Sequence, residues 1–132
     1  MGIFGAIGIA GSGLTVHRAW LDAVSDNLAN LSTVRPTSEA AFQARYVVAQ
    51  ETPGEEGGVR VAAAAFGSAE GRLVHEPGAP LADEQGYVRY PDIDMSSQMT
   101  QLIMAQRGYQ ANAAVVDRAK ETYTAALQIG RS

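Results

Sequence analysis

Both ends of the chain are free of proline and carry apolar residues at seven-residue intervals, and this restricts its fold more than any other feature. Near the N-terminus Ile7, Leu14, Leu21 and Leu28 stand one heptad apart, with Ala10, His17, Val24 and Leu31 as their offset-by-three partners. Near the C-terminus Met95, Leu102, Tyr109, Val116 and Tyr123 form one row, and Met99, Gln106, Ala113, Lys120 and Leu127 form the other. Only His17, Gln106 and Lys120 interrupt the pattern. Such a repeat predicts two amphipathic helices with coiled-coil-like seams. Asp94 is placed to cap the start of the second helix, and Gly130 stands where a C-cap glycine would sit. Tyr109 and Tyr123 fall on the seam as packing anchors.

All five prolines lie between residues 35 and 93, together with nine of the fourteen acids and five arginines. Breakers and charge therefore divide the chain into a helix over 1–34, an insert over 35–93 and a helix over 94–132. Within the insert, residues 42–50, 59–66, 73–75 and 87–90 read as strands, and residues 52–58 as a turn-rich break. The fold class is α+β, with long terminal helices forming a coiled-coil-like pair around a small β-rich insert.

Magnitudes decide what the helices pack against. A helix over residues 94–129 would be ~54 Å long, whereas a compact chain of this length has a diameter of ~36 Å. Core material is also thin: 46% of the 132 residues are hydrophobic, but 23 are alanine, which buries little area. The two seams must pair with each other or with neighbouring copies. Glycines at 5, 8, 11 and 13 weaken the first turns. That segment is expected to be disordered in the free monomer and to fold when neighbours bury Ile3, Phe4, Ile7 and Ile9.

Little in the sequence points to catalysis. With no cysteine, disulfide scaffolds, thiolate metal sites and thiol nucleophiles are excluded. His17 and His75 are the only histidines, and His75-Glu76 lacks the spacing that sets two imidazoles on one helical face. Asp83-Glu84 is an adjacent pair whose side chains diverge. The run from Gly8 to Gly13 is not G-x-G-x-x-G and follows no strand. No cofactor, metal or small-molecule substrate is expected. A net charge of −4, with one lysine, supplies no basic footprint for nucleic acid. The uncharged first sixteen residues have no basic region ahead of them, so no cleavable signal is expected. One reading from another class remains: Gly2-Ile3-Phe4-Gly5-Ala6-Ile7-Gly8 is similar in composition to viral fusion peptides, which would make the chain a membrane-interacting protein.

Three signatures, in order, carry a family resemblance. Asn27-Leu28-Ala29-Asn30 resembles the N-terminal signature of flagellar rod, hook and hook-associated proteins. Met95 and Met99, followed by Gln106-Arg107-Gly108-Tyr109-Gln110-Ala111-Asn112, resemble their C-terminal signature. The stretch from Val74 to Val88 is similar to the proximal-rod members. Two departures are visible: Ser32-Thr33-Val34-Arg35-Pro36 replaces the usual Thr and Gly-aromatic continuation, and Gln98 stands where an acid is often found.

The resemblance implies a structural subunit of the basal-body rod, exported unfolded through the flagellar type III apparatus without a cleaved signal peptide. Terminal helices of such subunits pair into an inner layer and stack into a hollow tube that crosses the periplasm and transmits torque. Its partners would be copies of itself, other rod proteins, and inner-membrane ring and rod-adaptor proteins at the base. The assembly seam is expected at Ile7, Leu14, Leu21, Val24, Leu28, Met95, Met99, Leu102, Tyr109, Val116, Tyr123 and Leu127. Asn27, Asn30, Gln110 and Asn112 are expected to bond backbone groups at helix ends or between subunits and so fix register, or else to be solvated or capping residues. Arg107 is a candidate inter-subunit donor.

Overall fold

The computed structural model describes residues 2–131. Two long helices, α1 (Ile3–Ala29) and α2 (Met95–Gly130), flank four short strands: β1 (Arg45–Glu51), β2 (Val59–Phe66), β3 (Arg72–His75) and β4 (Tyr87–Tyr90). The expected α+β order is present, and α2 runs for 36 residues without interruption, ~54 Å at 1.5 Å per residue. Asp94 caps α2 as its sequence position predicts, its carboxylate accepting from the Ser97 N–H at 2.9 Å. Gly130 does not cap the other end. It is the last helical residue, and Arg131 follows with ordinary right-handed angles, so no left-handed glycine is needed there.

The helices lie antiparallel, as their mutual contacts show. Phe4 meets Tyr123 edge-on with ring centroids 5.3 Å apart. Trp20 Nε1 donates to Gln101 at 3.2 Å, and Asn27 Nδ2 donates to Gln98 at 3.1 Å. Ile3 and Thr122 line one groove between the two helices. Residues 124–130 therefore extend beyond the start of α1, and all are exposed.

β1 and β2 form an antiparallel hairpin running from Arg45↔Phe66 to Glu51↔Val59, with a register shift between Val48 and Ala49. It lies along α1, anchored near both ends. Ser12 Oγ accepts from the Val59 N–H at 3.0 Å while donating to the Ile9 carbonyl. At the opposite end the Asn27 amide accepts the Arg45 N–H at 2.8 Å and donates to the Arg45 carbonyl at 2.9 Å. One side chain thus serves Arg45 as a neighbouring strand residue would, and Asp26 adds an ion pair to the Arg45 guanidinium. Regular pairing begins here rather than at Phe42, where propensity alone would begin it.

β3 and β4 make a second antiparallel pair, from Arg72↔Tyr90 to His75↔Tyr87, and Arg35 bridges to Arg89 on the other edge of β4. Gly71 enters β3 at φ +60°, where a Cβ would run into the Tyr90 carbonyl and lie 2.6 Å from Ala41 Cβ; glycine is required on both counts. The loop between the strands is organised by Asp83. It accepts from the backbone of Tyr87 and Gln85 and from the Thr37 hydroxyl. Those bonds, the one from Tyr87 foremost, hold its carboxyl below the usual range against a smaller desolvation effect.

Candidate assembly interface

On α2 the helices approach through a different line of residues from the one its apolar repeat marks, whereas on α1 Ala10 and Val24 of the expected offset row are buried beside Gly13 and Asn27. The buried residues of α1 are Ala10, Gly13, Val16, Ala23, Val24 and Asn27, and those of α2 are Gln98, Ala105 and Ala119. On α2 these fall on the row Gln98, Ala105, Asn112, Ala119, itself spaced by sevens but made of small and polar residues. Ala105 has no exposed surface at all. Opposite it on α1 stands the row Ala6, Gly13, Trp20, Asn27, with Ala10, His17 and Val24 alongside. Helix axes come close only where side chains are small, so a line of Gly and Ala makes the intimate contact and bulkier rows flank it.

The expected seam residues divide accordingly. Val24 is buried; Ile7, Leu14, Leu21, Leu28, Leu102, Tyr109 and Val116 are half-buried along the flanks. Met95, Met99, Tyr123 and Leu127 are exposed, Met99 by 42% and Leu127 by 50%. Ile103, Met104 and Val115, outside the expected rows, are exposed as well. An apolar groove of about 410 Å³ runs between Ile3 and Ala6 on α1 and Val115, Ala119 and Thr122 on α2. A second of about 280 Å³, sharing Ala6 and Val115, continues to Ala10 and Asn112. These grooves and exposed apolar side chains are the surface a contact site could use.

The polar candidates also divide. Asn27, fully buried, joins three elements through Arg45 of β1 and Gln98 of α2, with Gln98 only 2% exposed. Asn30 occupies the C-cap of α1, its amide bonded to the Asp26 carbonyl and to the Thr33 hydroxyl. Asn112 faces Gly13 and donates to the Gly108 carbonyl of its own helix. Arg107 and Gln110 are exposed. Gln98, Gly13, Gly108 and Ser12 are the structural residues that apolar periodicity misses. Counting small and polar residues at the same seven-residue interval finds the first two.

His17 donates from Nδ1 to the Gly13 carbonyl at 2.7 Å, since a carbonyl can only accept. His75 is exposed beside the Tyr87 ring. Among the described residues no cluster of His, Cys, Asp and Glu could hold a metal ion. No helix among them is long and apolar enough to cross a membrane.

Known proteins are similar to this chain over nearly its whole length. A family model described as flagellar basal body rod FlgEFG protein C-terminal matches residues 84–129, which hold most of α2 and all of β4. The flagellar basal-body rod protein FlgC of Yersinia enterocolitica is 39% identical over 99% of this chain and 100% of its own length. That of Escherichia coli O6:H1 is 37% identical over the same shares. That of Borreliella burgdorferi is 30% identical over 98% of each chain. With the N- and C-terminal signatures packed against each other through Asn27 and Gln98 and the likeness running the full length of the relatives, the chain belongs to the FlgC family of flagellar basal-body rod proteins.

Proposed function

We propose that the chain is a non-enzymatic structural subunit of the proximal rod, which assembles helically with copies of itself and with other rod proteins into a hollow shaft. Residues 1–34 and 94–132 form the inner layer of the wall, and residues 35–93 form the insert outside it. In this reading the shaft transmits torque across the periplasm, meets inner-membrane ring and adaptor proteins at its base, and lines the path of export. The subunit reaches it through the flagellar type III apparatus without losing a signal peptide.

One observation carries the proposal: the helix pair spends its small and polar residues on itself and keeps Met95, Met99, Ile103, Met104, Val115 and Leu127 on the outside. In this reading the exposed apolar side chains on either flank of α2 meet different surfaces of neighbouring copies, and contacts of that heterologous kind propagate into a helical array. Arg107 and Gln110, also outward, become polar contacts between subunits. Phe4, 68% exposed, meets Tyr123 edge-on at the same end of the helix pair and adds to the apolar surface left for neighbours.

The test is Met99→Asp, with Leu102→Asp beside it, in a strain that depends on this gene for motility. Swimming and rod assembly are lost while the soluble subunit accumulates normally; normal swimming by Met99→Asp would refute the proposal. Hydrogen exchange on the dilute subunit tests the coupling of order to assembly. Rapid exchange over residues 3–9, ahead of the contacts that Ala10, Ser12 and Gly13 make within the subunit, supports it, and full protection there contradicts it.

A further inference from the structure

Apolar heptad rows carry no absolute register. If α2 slides along α1 by seven residues, about 10 Å, apolar side chains again lie beside apolar side chains. Only a feature that does not repeat can fix which pairing forms.

Four residues at the middle of the helix pair make such a feature. The His17 ring lies over Gly108, where a Cβ would collide with Nε2 and Cδ2. The Asn112 amide lies over Gly13, where a Cβ would come within 2.6 Å of Oδ1. Each knob is tied to its own helix through the backbone of the other glycine-bearing position: His17 Nδ1 donates to the Gly13 carbonyl at 2.7 Å, and Asn112 Nδ2 to the Gly108 carbonyl at 2.9 Å. The contacts close a ring. Gly13 holds His17, His17 covers Gly108, Gly108 holds Asn112, and Asn112 covers Gly13.

We infer that His17, Gly108, Asn112 and Gly13 form a reciprocal lock that sets the register of α1 against α2. In a register slipped by one heptad His17 faces Val115 or Gln101, and Asn112 faces Trp20 or Ala6. Neither slip offers a glycine to either knob. A side chain added at Gly108 forces His17 to swing out, breaking its bond to Gly13 and opening the space above the helix. The lock uses two residues of the C-terminal signature, Gly108 and Asn112, and it is distinct from the Asn27–Gln98 contact nearer the start of α2. It is a property of the single subunit. Its consequence, that residues 124–130 extend a fixed distance past α1 for the next subunit to meet, rests on the proposed function.

The natural sequence has no cysteine, so introduced pairs report register directly in the full chain. Ala10→Cys with Val115→Cys samples the observed register, and Ala10→Cys with Thr122→Cys the slipped one. In the purified subunit, Gly108→Ala lowers the ratio of observed to slipped disulfide about tenfold, the effect of forcing extra volume into a packed contact. Adding His17→Ala relieves the clash and recovers part of the ratio, with the Asn112–Gly13 half of the lock still in place, and adding Asn112→Ala recovers none. Gly13→Ala behaves as the mirror image, rescued by Asn112→Ala alone. Helix propensity by itself predicts that both glycine substitutions strengthen the pair. An unchanged or raised ratio in Gly108→Ala, or rescue by the wrong partner, overturns the lock. If Gly108→Ala does not fold, the ratio is read in His17→Ala, which removes the knob without adding volume, where a lowered value supports the lock and a wild-type value overturns it. Swimming is scored separately: motile cells carrying Gly108→Ala with a collapsed disulfide ratio would leave the lock standing and count against the assembly reading.

Discussion

The inner and outer sides of the helix pair invert what is usual for a globular protein. Inside, α1 meets α2 through Gly13, Ala105, Ala119 and the amides of Asn27, Gln98 and Asn112. Outside, methionine, leucine, isoleucine and valine side chains face away. The inner line gains little from apolar area, because alanine and glycine have little to bury. It gains close approach and directional bonds, and those specify one arrangement. The outer faces have the reverse character, with large apolar side chains such as Met99, Ile103 and Met104 left exposed. A single chain that must be definite alone and adhesive in company divides its residues in this way.

Substitutions that break one side and spare the other sharpen the contrast. The largest effect on the subunit is expected from Asn27→Leu. It leaves the Arg45 N–H and carbonyl and the Gln98 amide without their buried partner, at a cost of about 3 kcal/mol. Urea unfolding of the purified protein measures it, and an unchanged midpoint would remove Asn27 from its position as the node of the fold. Ser12→Ala comes next, at about 1–2 kcal/mol by the same assay, because one hydroxyl serves both Val59 and Ile9.

On the outer side Leu127→Arg, a cation in the last turns of a helix where the dipole accepts it, shifts subunit stability by no more than about 0.5 kcal/mol. It nevertheless abolishes swimming. If it unfolds the subunit instead, the outer face is part of the monomer's own core and the contrast fails.

The smallest effect lies in the insert and depends on pH. Because the folded carboxyl of Asp83 titrates below its ordinary 3.8, the unfolded chain binds its proton first as pH falls. Its contribution is therefore complete above that value and is lost as pH drops through the lower, folded one. The stability difference between wild type and Asp83→Ala is constant from neutral pH to about 5 and narrows below 4. A difference that does not change across that range would mean that the loop gains nothing from the charge.

Much of the architecture is legible in the residues. The five prolines confine the irregular region, Asp94 marks the start of α2, and the runs at 59–66 and 87–90 become strands over the expected residues. The start of β1 is not legible, because the Asn27 amide, distant in sequence, sets where pairing begins. Nor is the end of α2, where Gly130 stays helical and leaves the cap to Arg131. Of the candidate site residues, Asn30 and Asn27 bond backbone groups as their type suggests, but the partner of Asn27 lies in a strand.

What the sequence determined by itself is the set of surfaces: two long helices with apolar heptad rows, an interrupted insert, and signatures that place the chain in a rod family. What only the tertiary structure decided is which surface turns inward. A heptad row records that a face seeks an apolar partner, and it is silent on whether that partner belongs to the same chain. The choice depends on how closely two backbones can approach, and that distance is set jointly by residues far apart in sequence, Gly13 beneath Asn112 and Gly108 beneath His17.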